Sequence, residues 1–132
     1  MCLTTVNGKF KPPQKGVKIG WKLVEVHNED AFLNIFRYFA RRVIIPINRW
    51  YEDPNDGKLK AEDGQKYTTG FHIYQNEERA KAWEKALIGM WIKLVKVEYD
   101  DTVAEGLETK TLIGESIGVV VARKIRILEI CA

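Results

Sequence analysis

Apolar and polar side chains alternate from Ile19 to Val26: Ile19, Trp21 and Leu23 fall on one side and Gly20, Lys22 and Val24 on the other, which predicts a first strand with Trp21 as a core anchor. The period then lengthens. Phe32, Ile35, Phe36 and Phe39 recur at i, i+3, i+4 and i+7 behind Asn28-Glu29-Asp30 and ahead of Arg41-Arg42, a pattern that predicts a helix over 29–40 with a charged cap at each end. Phe, Ile and Tyr are middling helix formers and suit an irregular strand equally well; they are core residues in either form. Val43-Ile44-Ile45-Pro46-Ile47 is β-branched but carries a proline that cannot donate to a ladder, so it reads as an edge or bulged strand. From Glu52 to Gly64 the sequence turns to Asp, Pro, Asn, Gly and Lys around Leu59, a long polar excursion of a length that usually signals a role or mobility.

A strand around Gly70-Phe71-His72 runs into a helix over 76–88. Asn76 is its cap, Glu77 and Glu78 complement the dipole, and Ala80, Trp83 and Leu87 form an inward stripe ended by Gly89. Trp91 to Tyr99 reads as a strand turned by Asp100-Asp101, and Ile117 to Ile130 as a final long strand. Gly8, Pro12, Pro13 and Gly16 among lysines mark residues 1–16 as a surface arm, leaving 17–132 as one domain. Regular strand-helix alternation is missing, so the class is α+β: a single small domain with a curved, mainly antiparallel sheet, the helix over 76–88 and the candidate helix over 29–40.

Composition narrows the function only slightly. A chain of 132 residues, 45% hydrophobic, can bury a core without metal or disulfide staples. Twenty-one basic against eighteen acidic residues give a net charge of +3, which leaves nucleic acid open as a partner without arguing for it. The two cysteines, Cys2 and Cys131, form no C-x-x-C spacing and read as reduced thiols. No charged-then-apolar leader opens the sequence, and no apolar run approaches the roughly 20 residues that span a bilayer. A soluble cytoplasmic protein without a membrane partner is expected.

The candidate chemistry gathers in Tyr67-Thr68-Thr69-Gly70-Phe71-His72-Ile73-Tyr74, at a strand-to-helix junction. On a strand, His72 and Tyr74 share a face with Gly70, whose missing side chain leaves room beside the imidazole. A ligand ring or phosphate can fill that room, with His72 and Tyr74 as donors and Thr68 or Thr69 nearby; a neighbouring backbone can fill it too. No orienting carboxylate or nucleophile stands at a telling spacing, so no catalytic residue is assigned. His27 stands alone and no H-x-x-x-H occurs, so no metal is expected; neither phosphate-loop motif is present, and no cofactor is implied. An N-terminal Cys2 nucleophile would lack its usual following glycine, since Leu3 follows. Arg41-Arg42, Arg49-Trp50-Tyr51 and Arg123-Lys124 with Arg126 interleave cations and aromatics as a nucleotide surface does, and as solvated strand edges also do.

Met1-Cys2-Leu3, Gly20-Trp21-Lys22-Leu23-Val24, Tyr67-x-x-Gly70-Phe71-His72, Ala80 and Val120-Val121-Ala122-Arg123-Lys124 together resemble small uncharacterised accessory proteins of bacteriophages, with Tyr67 to Ala80 the most specific part. The strand with Gly-Phe-His leading into a helix is also similar to part of the split barrel of ADP-ribosyltransferases. The first likeness implies a protein that acts by occupation in the host cytoplasm. It would hold a nucleotide-like ligand in a pocket lined by His72, Tyr74, Tyr67, Gly70, Trp50 and Arg49, or dock on a host protein. The second implies a nucleotide-processing or ADP-ribosyl enzyme using His72 with Glu105, Glu108 or Glu115. A third reading is an assembly protein whose interface is the edge strand around Pro46 with Phe32, Phe36 and Phe39.

Overall fold

The computed structural model describes residues 3–28, 31–34, 44–55, 57–86, 92–109 and 114–131. Their elements run β1 (Thr5–Val6), β2 (Lys18–Asn28), β3 (Ala31–Asn34), β4 (Ile44–Pro46), β5 (Tyr51–Glu52), β6 (Lys58–Lys60), β7 (Lys66–Thr68), β8 (Phe71–Tyr74), α1 (Glu77–Ala86), β9 (Ile92–Glu108) and β10 (Ile117–Ile130). The result is a mostly antiparallel sheet with one helix among the described residues.

Long β9 and β10 form the spine. They pair along most of their length, from Ile117 opposite Glu108 to Ile130 opposite Val95. β2 joins the first half of β9, from Lys18 opposite Tyr99 to Glu25 opposite Ile92, and β8 joins β10 from Tyr74 opposite Val119 to Phe71 opposite Ala122. A single pairing of Trp21 with Tyr74 then links β2 to β8 and closes a four-strand ring. Gly20 makes the closure feasible: a Cβ there would lie 2.4 Å from Ile73 Cγ2. β3 and β4 extend the sheet beyond β2, with Pro46 on the terminal strand as its missing N–H requires.

Alternation along the strands sends side chains into two apolar clusters on opposite faces. Phe71 and Ile73 join Val24, Ile45, Val95, Val97, Tyr99, Val120, Ala122, Ile125 and Ile127. Tyr74 joins Leu3, Leu23, Leu59, Tyr67, Leu94, Ala104, Ile117, Val119 and Val121, together with Ala80 and Trp83 from α1. The helix is capped as expected, with Asn76 Oδ1 accepting the Arg79 N–H at 2.9 Å. Of the expected 76–88 span, residues 77–86 are helical and 87–88 lie outside the described residues.

Three expectations need correction. Residues 31–34 of the candidate helix 29–40 are strand, because β2 and β4 hydrogen-bond them on both sides and tertiary pairing overrides a helical period carried by β-compatible residues; residues 35–40 lie outside the described residues. Asp100-Asp101 does not end a strand. It kinks the continuous 17-residue β9, with Asp101 at φ 59°, a left-handed value that aspartate tolerates better than most residues, next to a register shift opposite Val121 and Ala122. The polar excursion 52–64 contains β6, which pairs with β7 as a separate hairpin, Leu59 opposite Tyr67.

Residues of the N-terminal stretch lie along the spine. Leu3 is fully buried, β1 pairs with β9, and Gln14 bridges Thr102 beside the kink, where Gly16 N–H reaches Asp100 Oδ1 at 2.9 Å. No helix among the described residues is long and apolar enough to cross a membrane.

Candidate functional site

Strand β8 places His72 and Tyr74 on one face, where two hydrogen-bonded chains thread the cluster beneath α1. In the first, the Leu3 N–H donates to the Tyr67 hydroxyl at 3.1 Å, and that hydroxyl lies 3.0 Å from His72 Nε2. The hydroxyl that accepts from Leu3 has one proton to donate and a second lone pair to accept with, so the direction of its bond to Nε2 follows the imidazole tautomer. Burial, with the nearby Lys22 charge next, holds His72 well below the usual histidine range, so the ring is neutral. The Tyr67 and His72 rings meet edge to face, with centroids 5.8 Å apart.

In the second chain, Trp83 Nε1 donates to the Tyr74 hydroxyl at 3.0 Å, and Tyr74 donates to Glu108 Oε2 at 3.2 Å. Burial raises the Glu108 carboxyl above the usual carboxylate range and, with the Glu108 charge, pushes the Tyr74 phenol up further. Across the backbone of β8 lies Lys22, fully buried. Its ammonium donates to the His72 carbonyl at 3.0 Å and sits 5.9 Å from the centre of the Phe71 ring. Burial lowers its pKa to about 7, against the opposing charges of Asp53 and Glu108.

Gly70 does not open a pocket. A Cβ there would lie 2.6 Å from the Ala122 carbonyl oxygen, so the β10 backbone occupies the room beside the imidazole. Tyr67, Gly70, His72 and Tyr74 are thus brought together, all buried. Trp50 and Arg49 are not in that group. Trp50 is half exposed and packs against Arg126 at 5.8 Å, whereas His72 pairs with Val121, roughly 16 Å back along β10. Arg49 is exposed. Arg123, one of the cations with a nucleotide-surface pattern, turns inward to the carbonyls of Thr69 and Asp53, both at 2.7 Å. Of the three glutamates, Glu108 alone meets the buried chains; Glu115 faces Arg79 at 3.6 Å.

The accessible part of this region lies on the other side of Tyr67. A cleft of about 210 Å³ opens between the arm, the β6–β7 hairpin and β9. Tyr67, Val103 and Ala104 line it from the hairpin and β9; Asn7, Gly8, Phe10 and Pro12 line it from the arm; Lys58, Gln65, Lys66 and Thr68 complete it. Two fastenings hold its walls. Asp63 Oδ2 accepts the Val6 N–H at 2.9 Å, and Gln65 Nε2 donates to the Val6 carbonyl at 3.1 Å. Phe10, Lys58, Gln65 and Lys66 were not predicted as site residues, since only the meeting of arm and hairpin gives them a common wall. A second cleft of about 340 Å³ lies by Trp21, Glu77, Lys81, Lys96, Glu129, Ile130 and Cys131. Among the described residues no group of three His, Cys, Asp or Glu side chains is arranged to hold a metal ion.

No protein-family model, curated protein or solved structure matches the chain. The reading of function therefore rests on the residues themselves.

Proposed function

We propose that the protein is an accessory binding module that holds an anionic, nucleotide-like small molecule in the cleft over Tyr67 and releases it unchanged. The observation that carries this is the cleft lining: the aromatic rings of Phe10 and Tyr67, the cations Lys58 and Lys66, the amides of Asn7 and Gln65, and, among the described residues, no carboxylate. Apolar walls with a few convergent polar groups are the usual make-up of a small-molecule site, and unopposed cations select an anion. Among the described residues the lining supplies no carboxylate, imidazole or thiol for proton transfer near neutral pH, which supports binding without turnover. His72 acts at one remove, by holding the Tyr67 hydroxyl and so the ring that lines the cleft. The α+β class, a cytoplasmic setting and the likeness to phage accessory proteins complete this reading.

The test is a thermal-shift screen of nucleotides, dinucleotides and cyclic nucleotides on wild type, Phe10→Ala and His72→Ala, with the ligand recovered afterwards and chromatographed. A ligand at a hundredfold excess over its Kd adds about 2.7 kcal/mol of stability. Wild type should shift, Phe10→Ala should shift less, and the ligand should return intact. No shift with any nucleotide sinks the reading, and a consumed ligand replaces it with the enzyme alternative. An assembly role is favoured by one observation: β4 ends the sheet with Ile44 47% exposed.

A further inference from the structure

The outer face of the β6–β7 hairpin carries more positive charge than its own architecture can use. The strand register sets Lys58 opposite Thr68, Leu59 opposite Tyr67 and Lys60 opposite Lys66. Leu59 and Tyr67 turn into the core, so Lys58, Lys60, Lys66 and Thr68 share the opposite, outward face. Lys58 Nζ donates to Thr68 Oγ1 at 2.8 Å. Lys60 and Lys66 stand directly opposite each other, and no carboxylate pairs with either among the described residues. Like charges in a cross-strand pair weaken a hairpin, and this hairpin is only three residues long on each strand. Polyanion binding would relieve that repulsion.

Resting on the cleft reading above, we infer that the ligand carries a chain of at least two phosphate groups and that Lys58, Lys60 and Lys66, with the Thr68 hydroxyl, form the subsite that holds it. Lys58, Lys66 and Thr68 also line the cleft, so the basic face is continuous with the site for the aromatic part of the ligand. Lys60 lies just beyond the lining, where the far end of an oligophosphate would arrive. Each strand of this face spans about 10 Å. At the hairpin tip Glu62 and Asp63 set a limit to it: Asp63 accepts the backbone N–H groups of Val6 and Gln65, which lower its pKa and keep it ionised. A short phosphate chain fits between the cleft and these carboxylates. A nucleic-acid backbone, which offers the same chemistry, would have to continue past them.

The test is titration calorimetry at fixed ionic strength with adenosine, AMP, ADP, ATP, inorganic tripolyphosphate and a single-stranded 12-mer DNA (about 11 phosphates) on wild type and Lys60→Gln. Wild type should bind more tightly with each added phosphate. Lys60→Gln should weaken ATP about tenfold, the loss of one charged contact, and AMP by less. Equal affinity for AMP, ADP and ATP overturns the phosphate subsite and leaves the cleft reading standing. Tripolyphosphate that binds as tightly as ATP, with the Lys60→Gln loss, supports the subsite and removes the nucleotide from the cleft. Oligonucleotide binding tighter than ATP overturns the assignment to a small molecule, and no binding by any probe overturns both inferences.

Discussion

The two clusters flanking β8 handle buried polarity in opposite ways. Beneath α1, phenol, imidazole, indole and carboxyl groups satisfy one another in chains: Leu3 to Tyr67 to His72, and Trp83 to Tyr74 to Glu108. On the other face Lys22 is buried against Phe71 with the His72 carbonyl as its hydrogen-bond acceptor, and burial drives its proton off by about neutral pH. A satisfied network fixes ring positions, and the ring it fixes here is the Tyr67 that lines the cleft. A buried amine fixes little, but makes stability depend on pH.

The contrast is broken most severely by Phe71→Ala, which empties the Lys22 face of a fully buried ring. A loss of about 3–5 kcal/mol is expected in urea melts, with cleft affinity retained if the protein remains folded. Next comes Lys22→Met, which should stabilise by about 1–4 kcal/mol. In wild type, stability should rise with pH from about 7 toward 10.5, because over that range the unfolded chain keeps the lysine proton that the folded one has released. The slope approaches about 1.4 kcal/mol per pH unit and should vanish in Lys22→Met. Below pH 6.5 His72 acts in the same direction: the unfolded chain binds its proton first, so acid weakens the fold. Glu108, whose carboxyl is raised, opposes this only on the acid side. Urea melts at pH 5.5, 7 and 9 should therefore rank wild type most stable at pH 9, and a flat profile would refute the buried amine.

A smaller effect separates the two faces by function. Tyr67→Phe leaves the Leu3 N–H and His72 Nε2 without their hydroxyl and should cost about 1–3 kcal/mol. It should also loosen ligand binding, which Lys22→Met should not. The smallest change is expected from Lys81→Ala, whose ion pair with Glu77 is half exposed: at most about 0.5 kcal/mol, with no effect on the cleft.

Much of this plan was legible from the chain. The Asn76 cap and the β10 run are visible because each depends on residues adjacent in sequence. The sharing of a face by His72 and Tyr74 follows from the two-residue period of a strand. Asp100-Asp101 misled because a kink and a turn both call for a residue that tolerates a left-handed backbone. Residues 31–34 misled because their partners, β2 and β4, decide their state. Lys22 occupies a polar slot in an alternating pattern, so its complete burial cannot be read from period alone. The cleft was hidden for a topological reason: Val6 and Gln65 meet only after β1 has docked on β9.

The ring closed by Trp21 and Tyr74 has a consequence for how the molecule comes together and comes apart. β2 and β1 must both wait for β9, which lies far later in the chain, so native order arrives through distant encounters, which favours folding in milliseconds to seconds over microseconds. Once formed, residues 119–122 of β10 are hydrogen-bonded to neighbours on both sides, β8 and β9. Their amide protons should exchange with solvent only when the whole domain opens, whereas those of the β6–β7 hairpin should exchange long before.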